Sequence, residues 1–145
     1  MFRNILAGYD GSENGATAVQ TAARLAASSD ADLMIITVYR HHSLLEASLS
    51  MVRPDDLGNL DDAMREYATE IVEKAKAIAV DAGAPRVRGF VKSGPVARSI
   101  VNFAANHGVD LIVVGSRGLG SVEQYLLGSV SHKISGIADC PVLVV

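Results

Sequence analysis

The stretch Val109-Asp110-Leu111-Ile112-Val113-Val114-Gly115-Ser116-Arg117-Gly118, followed after nine intervening residues by Gly128-Ser129, decides how this chain is read. Its first part is apolar without strict alternation, the pattern of a strand covered on both faces. Its second part is glycine-rich, and an amphipathic segment from Val130 to Ala138 follows. A buried strand that ends in glycines and then gives way to a helix builds an anion site. Without a Cβ in the way, backbone N–H groups approach a phosphate closely. The helix start adds unpaired donors and the positive end of its dipole. The expected ligand therefore carries phosphate, with a nucleotide as first candidate.

Working outward, four more short apolar runs read as strands: Ile5 to Gly8, Leu33 to Tyr39, Val87 to Lys92 and Val142 to Val145, with Leu111 to Gly115 as the fourth of five in chain order. Helical patterns alternate with them. The first covers Gly15 to Ser28, with Ser12 or Asn14 as cap candidates. The second covers Leu60 to Ala82, with Leu60, Met64, Tyr67, Ile71, Ala75 and Ile78 as its apolar stripe, Asn59 as a cap and Gly83 and Pro85 as stops. The third opens at Gly94-Pro95 and closes near Gly108, and the fourth opens at Ser129. This alternation predicts a single-domain α/β fold over 1–145: an open parallel five-stranded sheet with helices on both faces. The connection between the second strand and the second helix, 40–58, is long, and it is expected to be a flexible or partly helical excursion.

A chain of 145 residues, 49% hydrophobic and 20% charged, can bury a real core and is not a disordered polymer. A net charge of -3 with scattered Lys and Arg argues against nucleic acid as a partner. The lone Cys140 excludes an internal disulfide and reads as a buried, inert thiol. No signal peptide and no membrane span are evident, so a cytoplasmic location is expected.

In open parallel sheets the ligand crevice lies beyond the carboxyl ends of the strands, where the strand order reverses. Because the glycine loop follows the fourth strand, order 3-2-1-4-5 is favoured, with the crevice between strands one and four. Tyr9-Asp10-Gly11-Ser12 then faces the glycine loop. Asp10 either accepts from ribose hydroxyls or caps the first helix or its turn. The backbone near Val38 and Tyr39 is placed to meet an adenine edge. Arg117 either reaches phosphate oxygens or is solvated. Ser129 and Ser131 flank a helix start, where hydroxyls cap the helix or bind phosphate, and Ser129 is favoured. Lys133 reads as a solvated helical lysine, and Gly120 as a source of flexibility.

The standard phosphate signatures fail: there is no GxxxxGK[ST], and Gly8-Tyr9-Asp10-Gly11 does not make GxGxxG. The spacing Gly115, Gly118, Gly128, Ser129 instead meets G-x2-G-x9-G-[ST], the pattern of the nucleotide-binding subgroup of universal stress proteins, which this chain resembles over essentially its whole length. The opening Ile5-Leu6-Ala7-Gly8-Tyr9-Asp10-Gly11-Ser12 and the closing Cys140-Pro141-Val142-Leu143-Val144-Val145 are similar to that family's first and last strands. The resemblance implies an adenine nucleotide alpha hydrolase-like fold that binds ATP, with ADP or AMP as alternatives and Mg2+ accompanying the nucleotide. By similarity Asp10 holds the ribose and the Val38 main chain meets the adenine. Gly115, Ser116, Arg117, Gly118, Gly128, Ser129, Val130 and Ser131 surround the phosphates. Tyr9 stands where the family has a small residue or proline, and is a candidate to stack on the ligand.

The resemblance also implies a homodimer through the last strand, 141–145. An apolar strand at a sheet edge supports this independently, since it is a template for pairing. For function, a nucleotide-dependent regulatory protein competes with a slow ATPase or phosphotransferase using the same site. Catalysis needs a positioned base. The only candidates are Asp10, already assigned to ribose, and His41 and His42, which read as solvated.

Overall fold

Each central strand is apolar at consecutive positions, so successive side chains serve opposite faces of the sheet. Ile5 and Ala7, Leu33 and Ile35, and Leu111 and Val113 join one core, while Leu6, Met34, Ile36, Ile112 and Val114 join the other. The computed structural model describes residues 1–40, 57–117 and 128–145. Its strands are β1 (Asn4–Gly8), β2 (Asp32–Tyr39), β3 (Arg86–Ser93), β4 (Leu111–Val114) and β5 (Val142–Val144). They form one parallel sheet of order β3-β2-β1-β4-β5, with Ile5 of β1 opposite Leu33 on one side and Leu111 on the other. The expected α/β class and strand order are both borne out.

Helices α1 (Glu13–Ser29) and α2 (Leu57–Asp81) cover one face, and α3 (Val96–Asn106) and α4 (Ser129–Ile137) cover the other. The start of α1 is closed by Ser12, whose Oγ accepts from Gly15 N–H at 3.0 Å, so Ser12 rather than Asn14 is the cap. α1 ends at Asp30 in the left-handed conformation, φ 51°.

Helix α2 differs from its sequence reading in two respects. It begins at Leu57, upstream of Asn59, so the cap candidate lies within the helix. Its buried stripe is Ala68, Val72, Ala75 and Ala79, while Tyr67 is 64% exposed. Small side chains win the contact because the helix lies close on the sheet. A Cβ at Gly89 of β3 would stand 2.9 Å from Lys76 Cδ and 3.2 Å from Val72 Cγ1. Most of the 40–58 excursion, with His41 and His42, lies outside the described residues, as do Gly118 and Gly120.

Cys140 is half-buried rather than fully enclosed, and its thiol is pushed above its ordinary range, first by burial and then by nearby Asp110. It is therefore held as the protonated, unreactive form, in line with an inert role. No helix among the described residues is long and apolar enough to cross a membrane.

Candidate functional site

The carboxyl ends of β1 and β4 diverge where the strand order reverses, and a cleft opens there. Three segments form its walls.

The first follows β1. Tyr9 N–H donates to Ile36 O (3.0 Å), and the buried Thr37 hydroxyl donates to Tyr9 O (2.9 Å), which ties this turn to β2. The exposed Asp10 lines the cleft and also accepts from Ser12 N–H through Oδ1 (2.9 Å). The turn-capping role and a position on the crevice thus coexist. Burial raises the pKa of the Tyr9 phenol, and the Asp10 carboxylate raises it further. A neutral, half-buried ring therefore stands at the mouth.

The second is the end of β2. Successive residues of a strand turn their N–H and C=O groups to opposite neighbours. Ile36 O accepts from Tyr9 on the β1 side, and Tyr39 O accepts from Gly94 N–H (2.9 Å) on the β3 side. By alternation the main-chain groups of Val38 point to the β1 side, past the end of β1 at Gly8, where Val38 lines the cleft.

The third segment comprises Gly115-Ser116-Arg117 after β4 and Gly128-Ser129-Val130-Ser131 at the start of α4, all lining the cleft. Ser116 joins the two halves. Its N–H donates to Val145 O (2.7 Å), and its carbonyl accepts from Gly128 N–H and from Ser131 Oγ (3.2 Å). Ser131 is buried and its hydroxyl also reaches Gly128 O (3.1 Å), so it clasps the loop ends, whereas Ser129 is exposed. The N-cap of α4 is Gly128, and among the described residues no side chain caps this helix start. The first N–H groups of any helix lack intrahelical partners, so this terminus presents donors and positive dipole to the cleft. Among the described lining residues Arg117 is the only cation. The floor is apolar, formed by Ile36, Val96, Ile100 and Val114.

Tyr9, Asp10, Val38, Gly115, Ser116, Arg117, Gly128, Ser129, Val130 and Ser131 thus gather around one cleft, while Gly118 lies outside the described residues. Sequence reasoning missed Asn14. Its side chain accepts from Arg117 N–H (2.6 Å) and Ser116 Oγ (3.3 Å) and donates to Val145 O (3.1 Å). A Cβ at Gly115 would lie 2.7 Å from Asn14 Oδ1, so the lack of a side chain here makes room for α1 while the backbone lines the cleft. The apolar floor was missed as well, although the Gly94-Pro95 start of α3 gave a signal for Val96. No group of three or more His, Cys, Asp or Glu side chains able to hold a metal ion occurs among the described residues.

The sheet and cleft define an open, doubly wound α/β protein with a concave site at its strand-order switch point. The chain belongs to the universal stress protein family, Usp, whose profile matches residues 1–145. Universal stress protein YxiE of Bacillus subtilis (strain 168) is 36% identical over 148 residues, covering 100% of this chain and 99% of that protein. A universal stress protein solved in complex with cAMP superposes with a TM-score of 0.74 at 28% identity, covering 99% of this chain and 96% of that one. The fold alone is shared with the universal stress protein UspA from Lactobacillus plantarum, TM-score 0.83 at 24% identity, covering 99% and 97% of the two chains.

Proposed function

We propose that this protein is an ATP-binding regulatory member of its family, acting in the cytoplasm as a sensor whose state follows bound nucleotide. The observation that carries this reading is that the start of α4, whose N-cap Gly128 brings no side chain, shares one cleft with Val38 and an apolar floor. An adenine is an apolar plate with a polar edge. It suits the floor made by Ile36, Val96, Ile100 and Val114, with its edge on the backbone of Val38. Tyr9 packs beside it, and Asp10 accepts from the ribose. The phosphates lie toward Gly115, Ser116, Arg117, Gly118, Gly128, Ser129 and Val130, with Ser131 bracing the loop beneath them. Mg2+, where present, is held by phosphate oxygens. The solved relative in complex with cAMP, an adenine nucleotide, supports the same ligand class. A regulatory role is preferred to a slow ATPase because Asp10 is the only carboxylate among the described lining residues, and it is engaged by Ser12 N–H. Pairing of strand 141–145 with a second copy completes the reading as a homodimer.

Native mass spectrometry of freshly purified protein, followed by chromatography of released small molecules, tests this directly. A dimer with about one ATP per chain is expected. ADP in place of ATP favours hydrolysis, and AMP alone would make the monophosphate the ligand. Protein that is empty and ignores added ATP would overturn the reading. Val144→Asp is expected to sediment as a monomer, and an unchanged sedimentation coefficient removes β5 from the interface.

A further inference from the structure

The side chain of Asn14 is half-buried and lies in the first turn of α1, where a helix needs no such residue because Ser12 already provides the cap. Both ends of its amide are committed, and each meets a partner of the opposite kind. The oxygen accepts from Arg117 N–H at 2.6 Å and from Ser116 Oγ at 3.3 Å, and the nitrogen donates to Val145 O at 3.1 Å. That complementarity fixes which way the amide points. The same Val145 carbonyl accepts from Ser116 N–H at 2.7 Å, so one side chain ties α1, the end of β5 and the loop after β4 together. Gly115 lets this happen, because a Cβ there would collide with Asn14.

Resting on the nucleotide reading above, we propose that Asn14 is a positioning residue for the phosphate half of the cleft. It holds the Ser116–Arg117 backbone beside the start of α4 without contacting ligand itself. With its amide gone, the Arg117 N–H loses its acceptor and the loop samples orientations that must be re-ordered on binding, at an entropic cost. The adenosine half is held by other groups, at the ends of β1 and β2, and does not depend on this tie.

The test compares ATP with adenosine by calorimetry on full-length wild type and Asn14→Ala. Alanine preserves the helix. ATP is expected to bind about tenfold more weakly, the loss of roughly one well-made hydrogen bond, while adenosine changes by less than about twofold. Hydrogen exchange adds a readout independent of binding: the Arg117 amide is expected to exchange faster in the variant, with amides of β1 and β4 unchanged. If ATP and adenosine weaken together, or the core amides speed up as well, Asn14 is merely structural and the proposal falls. If the variant binds ATP as well as wild type does, the positioning role alone falls. If wild type binds neither compound, the nucleotide reading falls and takes this proposal with it.

Discussion

At the amino ends of β1 and β4, the Asp110 carboxylate accepts from Arg3 N–H (2.9 Å) and Asn4 N–H (3.1 Å), and Asn4 Nδ2 donates to Gly108 O (3.2 Å). Nearby, Arg86 at the start of β3 bonds to Asp32 and to both the side chain and the carbonyl of Asp30. At the carboxyl ends of the same strands the arrangement differs. The loops there brace one another through Ser116, Ser131 and Asn14, yet among the described residues the start of α4 carries no side-chain cap, and it opens on a cleft. Both ends face chain reversals and both carry exposed polar groups. Both ends use side chains to satisfy backbone N–H groups, but the carboxyl end also carries a helix start whose N-cap, Gly128, brings no side chain to it. A backbone donor kept available beside an apolar floor stabilises nothing within the chain, so its use is sought in a ligand.

The comparison is broken most strongly at the glycine loop. Gly118→Val places a branched side chain where a phosphate is proposed to sit, and ATP affinity is expected to fall by about a hundredfold or more. Thermal unfolding is expected to stay within a few degrees of wild type. Calorimetry and a melting curve on one preparation read both effects, and wild-type affinity would sink the assignment of this loop to phosphate. At the opposite end the pattern inverts. Asp110→Ala removes the acceptor for two backbone N–H groups and is expected to cost about 1–2 kcal/mol of stability with ATP affinity unchanged. Urea unfolding measures the first, and a matching loss of affinity would show that the two ends are not separable.

Asp10→Asn sharpens the contrast, since Asp10 has a turn-capping contact and a place on the cleft. The neutral amide keeps an oxygen for Ser12 N–H, so stability is expected to change by less than about 1 kcal/mol. It is a weaker acceptor for ribose hydroxyls, and ATP affinity is expected to fall about tenfold. A variant that loses stability without losing affinity would return Asp10 to the turn alone.

How much of this was legible in the chain depends on how far each feature reaches. The apolar runs at Ile5, Leu33 and Leu111 declare a doubly covered sheet, because burial on both faces leaves a local mark on composition. The strand order followed from one topological rule and the position of the Gly115 loop after β4. Hydrophobic periodicity puts Tyr67 in the apolar stripe because it favours large side chains, while the residues actually buried are Ala68, Val72, Ala75 and Ala79, with Val72 against Gly89 of the sheet. Asn14 reads in the sequence as no more than an alternative to Ser12 for the cap, because its real partners, Arg117 and Val145, are more than a hundred residues away along the chain. The direction of the Val38 main chain was also beyond reach, since it depends on which strand neighbours β2 on each side and in what register. Backbone groups are the same at every residue, so a site built on them leaves little trace in side-chain identity.

The finest distinction between the two ends lies in Tyr9, one of four tyrosines in the chain. Burial, with a smaller contribution from Asp10, pushes its phenol above the ordinary value of 10.0. A raised pKa means that the folded state holds this proton more tightly than the unfolded chain does. The associated stability is fully present below pH 10.0 and is lost as pH rises through the folded value. An absorbance titration of tyrosinate is therefore expected to show a late-ionising component that moves partway back toward 10.0 in Asp10→Asn. It does not return completely, because burial is the larger cause. Bound ATP covers the ring further and brings negative phosphates toward it, so ligand is expected to delay the ionisation again. If ATP binds and leaves the titration of Tyr9 untouched, the ring does not pack against the nucleotide. The adenosine would then be held by the Val38 backbone and the apolar floor without it.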